Sequence, residues 1–211
     1  MSGTPDTGNR EPEAGNRESG IGNRAPFSGH GQRPKLTLAT TSLAGCFGCH
    51  MSFLDIDERI LELVQLYDLR KSPLDDLKTF TGMYDVGLVE GGCCNTHNVH
   101  VLREFRTHCR LLVSVGQCAI TGGLPAMRNG IPLAELFAES YQKGPTLDTA
   151  LIPSDEDLPM ILDRIYPCHE VVKVDAFLPG CPPSAEIIWE ALIAIAEGRP
   201  LDIPYRHFKF D

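Results

Sequence analysis

From Lys35 onward the apolar residues of this chain fall into two alternating patterns: short dense runs rich in β-branched residues, and longer segments with apolar positions three and four apart. "KLTLATT" (35–41) is of the first kind. "MSFLDIDERILELVQLY" (51–67) is of the second, with Phe53, Ile56, Ile60, Leu63 and Val64 at helical spacing and Ser52 as a cap. The same order then repeats: "YDVGLVE" before "NVHVLREFRTHC", "RLLVSVG" before "PLAELFAESYQ", and "VVKVDAFLPG" before "SAEIIWEALIAIAEG".

Strands that alternate with helices imply a parallel sheet covered on both faces. With a further strand near "YDLRKS" (67–72) the sheet has about five strands. The predicted fold class is therefore α/β, a flavodoxin-like doubly wound parallel sheet with helices on both faces, spanning residues 34–211.

Residues 1–33 follow neither pattern. They are Gly, Asn, Arg, Glu, Pro and Ser, with Ile21 and Phe27 as the sizeable apolar side chains, and "GNR" recurs at 8, 15 and 22 without an apolar seam. Such a segment cannot bury enough surface to offset its ordering entropy, so it reads as a disordered tail. It holds no basic region followed by an apolar stretch, and its arginines at 10, 17, 24 and 33 are isolated, so no export signal is visible.

Composition narrows the function classes. The chain has 211 residues, a formal charge of -9 and a pI near 5.2, which argues against binding nucleic acid or anionic membrane. No window approaches the ~20 apolar residues a membrane helix needs. The expectation is a cytoplasmic protein, where thiols stay reduced and eight cysteines read as metal ligands or buried thiols.

In doubly wound sheets the functional loops lie beyond the carboxyl ends of the strands. Cys46 and Cys49 follow the first strand, Cys93 and Cys94 follow "VGLVEGG", Cys118 follows "LLVSVG", and Cys181 follows "DAFLPG". That topology would allow those six to converge on one edge, whereas Cys109 and Cys168 precede strands and are expected at the opposite edge as small buried hydrophobes. A thioredoxin-like dithiol needs no further cysteines, and zinc usually takes a second C-x-x-C or H-x-H pair, which is missing. Cluster ligation needs four thiolates on glycine-rich turns, which "AGCFGC", "EGGCC", "VGQC" and "PGCPP" all supply. Spacing leaves open whether the set is 46, 49, 118 and 181 or one that includes 93 or 94.

In this order, "CFGCHMSFLD" (46–55), "VEGG" (89–92), "VGQCAITGG" (115–123) and "PGCPP" (179–183) resemble the motifs of [NiFe]-hydrogenase small subunits. The chain closely resembles the short (delta) form found in soluble, bidirectional NAD-reducing hydrogenases, from about Lys35 to the C-terminus. The stretch "YPCHEVVKVDAFLPGCPP" (166–183) resembles that subgroup continuously. The resemblance implies that Cys46, Cys49, Cys118 and Cys181 bind one [4Fe-4S] cluster. It also implies that a separate large subunit holds the Ni-Fe site, and that electrons pass toward a diaphorase with FMN and iron–sulfur clusters that reduces NAD.

Larger small subunits of this kind carry two more clusters on a C-terminal cysteine-rich region. Here 30 residues follow Cys181 and none is Cys, so one cluster is the expectation. Many relatives have Glu shortly after the second cysteine of the first turn, where this chain has His50, Met51 and Ser52. The related respiratory quinone-reductase subunit is the runner-up; it has adjacent cysteines at the first turn, whereas here the pair Cys93-Cys94 follows a later strand. A third reading is a cluster-free module that binds FMN or a partner. A flavodoxin-type phosphate site, however, needs backbone N–H groups in the loop that Cys46 and Cys49 occupy.

Other residues carry lesser expectations. Cys93 and Cys94 are read as thiols packed in a tight loop without ligating iron. Glu90 ends a strand beside the cysteines and either orients backbone, contacts the large subunit or is a structural carboxylate. His50 is read as a surface histidine, with a hydrogen bond to a cluster sulfur as the functional alternative. His97, His100, His108 and His169 show no metal spacing, and Trp189 is assigned to core or subunit interface.

Overall fold

The computed structural model describes residues 34–148 and 150–201; the expected tail, 1–33, lies outside the described residues. Among the described residues seven strands form: β1 Leu36–Ser42, β2 Tyr67–Lys71, β3 Tyr84–Glu90, β4 Cys93–Asn95, β5 Cys109–Val115, β6 Ile161–Tyr166 and β7 Ala176–Leu178. Five of them make a parallel sheet in the order β2-β1-β3-β5-β7. Counted within that sheet the order is 2-1-3-4-5, the flavodoxin-like winding, with its switch point between β1 and β3. Ligand sites of such sheets form in the crevice there, beyond the carboxyl ends.

Alternation along the strands divides the core in two. Val86 and Leu88 of β3 and Val113 and Val115 of β5 face one layer, with Ile187, Ile188 and Leu192 of α7 (Ala185–Glu197). Val89 and Leu112 face the other, with Leu102 and Phe105 of α3 (Thr96–His108). Each large side chain buried in these layers contributes about 1.5–3 kcal/mol. The ends of both helices are set by sequence: Asn95 Oδ1 accepts the Asn98 N–H at 2.8 Å, Ser184 caps α7 at Ile187, and Gly198 ends α7 at φ 70°.

The long helix expected over 51–67 is three pieces: α1 Gly48–Leu54, a 3₁₀ turn Asp57–Arg59 and α2 Ile60–Leu66. Asp57 has φ 61°, a left-handed conformation that no α-helix can run through. Ser52 is buried inside α1 and caps nothing; the residue ahead of α1 is Phe47, at φ 67°. β4 and β6 pair antiparallel in a small separate sheet where a loop was expected after β3. The helix expected from "PLAELFAESYQ" forms as α5 (Leu133–Tyr141), and of the last expected strand Val171 belongs instead to α6 (Cys168–Val171) while Ala176–Leu178 alone form β7. Among the described residues no helix is long and apolar enough to cross a membrane.

Candidate metal centre

The switch-point edge is built from four turns. Cys46 lies in the turn after β1 and Cys49 in the first turn of α1; Cys118 lies in α4 (Gln117–Thr121) after β5, and Cys181 follows β7. The Cys46 sulfur accepts the Gly48 N–H at 3.4 Å, which folds that turn back on itself. Cys46 and Cys181 are exposed, and Cys49 and Cys118 half-buried.

Two glycines show how tightly these turns meet. Gly116, between β5 and α4, has φ 81°; a Cβ there would run into the Cys49 sulfur and lie 3.6 Å from the Gly180 carbonyl and 3.7 Å from Pro183 Cδ. Three of the four turns therefore abut at one backbone position. A Cβ on Gly123 would stand 2.8 Å from the Cys118 sulfur.

Electrostatics ties the cysteines together. Burial pushes the Cys49 thiol well up from its ordinary value, and the charges of Glu90, Cys118 and Cys46 add to it. Burial likewise raises Cys118, with Cys181, Cys46 and Glu90 adding charge of the same sign. Neighbouring thiolates thus make Cys49 and Cys118 harder to ionise, an arrangement that a cationic occupant would reverse. Soft thiolates on glycine-rich strand ends are the donor set of iron–sulfur clusters, so the residues present fit such a group. Among the described residues no three His, Cys, Asp or Glu side chains close on a single ion. The structure brings together an edge, not a finished ligand shell.

Behind Cys49 is a polar layer. His50 is buried, against the expectation of a surface histidine: its Nδ1 lies 3.1 Å from Glu90 Oε1, its Nε2 3.0 Å from Thr40 Oγ1, and its ring stacks on Phe47. Thr40 Oγ1 is in turn 2.8 Å from Ser72 Oγ. Glu90 is 3 % exposed, and its Oε2 accepts the backbone N–H of His50 at 3.1 Å, so it orients backbone. Burial alone would raise the Glu90 carboxyl, but polar contacts from His50 and Ser42 and the charge of His50 outweigh it and hold the group below the usual carboxylate range. The signal for this layer in the sequence is the polar triplet Thr40, Thr41, Ser42 that closes the first strand.

The remaining candidates sort differently. Cys93 is fully buried in the α3-side core, and burial with the charge of Cys94 lifts its thiol to about 12. Cys94 donates to Asn98 Oδ1 at 3.1 Å. The two lie in strand β4, not in a loop. Cys109 opens β5 at the amino edge. Cys168 departs from expectation: its thiol reaches the Gly91 carbonyl at 3.4 Å, beyond the carboxyl end of β3, because the β4–β6 pair folds that segment back over the same edge. His97, His100 and His169 are not drawn into the site, His108 stacks on Phe80, and Trp189 packs on the core with Arg59 over its ring at 5.0 Å.

A doubly wound sheet with cysteine turns at its switch point defines a class of small redox subunits, and the chain belongs to the family described as "NADH ubiquinone oxidoreductase, 20 Kd subunit", which it matches over residues 46–195. Within that family it is a homologue of hydrogenase small subunits. It is 43 % identical over 180 residues to the delta subunit of the NAD-reducing hydrogenase HoxS of Cupriavidus necator, covering 84 % of this chain and 86 % of that one. A chain of an NAD+-reducing [NiFe]-hydrogenase crystallised in the H2-reduced state superposes with a TM-score of 0.82 at 47 % identity, over 84 % of this chain and all of the other. A longer relative, from the F420-non-reducing vhu hydrogenase of Methanococcus voltae, is 34 % identical over 171 residues; the match covers 81 % of this chain and 59 % of that relative. The resemblance read from the four motifs is borne out.

Proposed function

We propose that this chain is the electron-carrying small subunit of a cytoplasmic [NiFe]-hydrogenase that couples H2 oxidation reversibly to NAD reduction. Cys46, Cys49, Cys118 and Cys181 hold one [4Fe-4S] cluster in this reading, the Ni-Fe site belongs to a large subunit, and a diaphorase with FMN and iron–sulfur clusters reduces NAD. The observation that carries it is the abutment of the Cys49 turn, the β5 end and the β7 end at Gly116, in a chain 43 % identical to the HoxS delta subunit over 180 residues. FMN on this chain has no such support, because Cys46 and Cys49 occupy the loop where a flavodoxin-type phosphate site would form.

The cluster supplies one-electron storage and transfer when bound. The chain's residues do the rest. The four thiols bind, Gly116 admits the Cys49 sulfur, and Glu90 holds the backbone of the turn that carries Cys49. Exposed apolar side chains flank the cysteines in sequence, Met51 beyond Cys49 and Leu124 and Met127 beyond Cys118. Covering them with the large subunit would exclude water from the outer half of the site.

The decisive experiment separates chemistry at nickel from electron exit. In the assembled complex, Cys118→Ser is expected to retain H/D exchange while H2-dependent NAD reduction falls about 100-fold or more, beyond the usual effect of an outer-shell change. Undiminished NAD reduction would refute the role. The family description also names a quinone reductase, so the second reading is a subunit of that class; a co-purifying large subunit that lacks nickel would favour it.

A further inference from the structure

The buried Glu90–His50 pair stands directly behind the Cys49 turn and belongs to neither apolar core layer. We propose that Glu90 and His50 are positioning residues that set the reduction potential of the cluster through Cys49, Glu90 by fixing a negative charge behind that ligand and His50 by holding and partly compensating it. This rests on the cluster reading given above.

Three observations carry the proposal. First, Glu90 is tied to the ligand's own turn, since Oε2 takes the His50 N–H, the next amide after Cys49. Second, its other oxygen is not spent: Oε1 is buried and lies 3.1 Å from His50 Nδ1, but the alignment leaves it without a hydrogen bond. Third, Glu90 and His50 are both buried, so little solvent screens the charge, and the two line a small cavity together with Thr40, Cys49, Phe53 and Leu88. A carboxylate in such surroundings acts strongly on a neighbouring sulfur. His50 cannot swing away, because Nε2 is held by Thr40 and the ring is stacked on Phe47 at 4.6 Å. Negative charge close to the cluster disfavours adding an electron, and every group that offsets the charge favours it.

The test is a potentiometric titration of the cluster's EPR signal in the complex with the large subunit, with iron counted in each sample. Glu90→Gln keeps the shape and an acceptor for the His50 N–H but removes the charge. It should retain iron and shift the reduction equilibrium roughly tenfold toward the reduced form, about 59 mV upward for one electron. His50→Leu leaves the charge less compensated and should shift the midpoint downward.

Glu90→Gln with full iron and an unchanged midpoint overturns the proposal. If Glu90→Gln loses its iron, His50→Leu decides: a downward shift supports the proposal and an unchanged or raised midpoint overturns it. Loss of iron from both variants, in complexes that still assemble, would make the pair a structural clamp with no tuning role and overturn it too. A native complex without iron would instead sink the cluster reading itself.

Discussion

Gly116 decides how closely the turn after β5 can approach Cys49. Its φ of 81° lies where side chains are strained, and a Cβ would occupy the space of the sulfur. Gly116→Ala should therefore cost about 1–3 kcal/mol in backbone strain and also displace the thiol. Gly198, at φ 70° with nothing within 4 Å of its missing Cβ, provides the control. Gly198→Ala should lower the thermal midpoint while iron per chain stays native, whereas Gly116→Ala should lower both; native iron in Gly116→Ala would contradict the cradle.

Buried thiols set the alkaline limit. Burial lifts Cys109 and Cys168 from the ordinary thiol value of 9.0 to about 12, against the pull of Arg106 and Lys71 in the case of Cys109. A raised folded-state pKa means that these groups contribute stability in full below pH 9.0 and lose it as pH climbs toward 12, because only the unfolded chain releases the protons. The loss is at most about 1.4 kcal/mol per pH unit for each thiol. Denaturation under reducing conditions at pH 8 and above pH 10 should show that decline, with a shallower slope for Cys109→Ala. An identical slope would show that Cys109 titrates normally in the folded chain.

At the scale of elements, the strands β1, β3 and β5 and the helices α3 and α7 were legible because periodicity reports burial, and these elements bury one stripe or both faces. The break between α1 and α2 was not legible, since Phe53, Ile56 and Ile60 keep helical spacing across it and only the backbone at Asp57 departs. The β4–β6 pair escaped because it joins Cys93 to Tyr166, and no local pattern announces so distant a partner. Cys168 went to the wrong edge for that reason. The cysteine turns were legible as motifs, but the burial of His50 was not, because its partners come from the distant strands β1 and β3.

Strands β3 and β5 press closely together, so that a Cβ on Gly87 would meet the Cys109 sulfur at 2.6 Å. Gly87→Ala should destabilise the chain by about 1–3 kcal/mol through overpacking. Combining it with Cys109→Ala should return part of that, with a coupling of about 1 kcal/mol in a double-mutant cycle followed by urea unfolding. Strict additivity would show that the two strands are not pressed together there.

Across the described residues, a two-layered α/β core leaves a crevice where loops from β1, β3, β5 and β7 meet, and the cysteines of the four motifs follow three of those strands. The apolar layers fix the strand ends; the strand ends fix the turns; the turns present thiols at one edge, two of them exposed toward whatever covers the site. An electron carrier needs this arrangement, with its redox group at a surface that a partner can bury.

The ligand set can be read directly from iron and acid-labile sulfide per chain, measured in the complex with the large subunit for the native protein, Cys181→Ser and Cys93→Ser. About four irons and four sulfides are expected in the native and Cys93→Ser complexes, with loss or degradation of the cluster in Cys181→Ser. A native complex without iron, or a Cys181→Ser complex that keeps its full complement, would contradict the assignment.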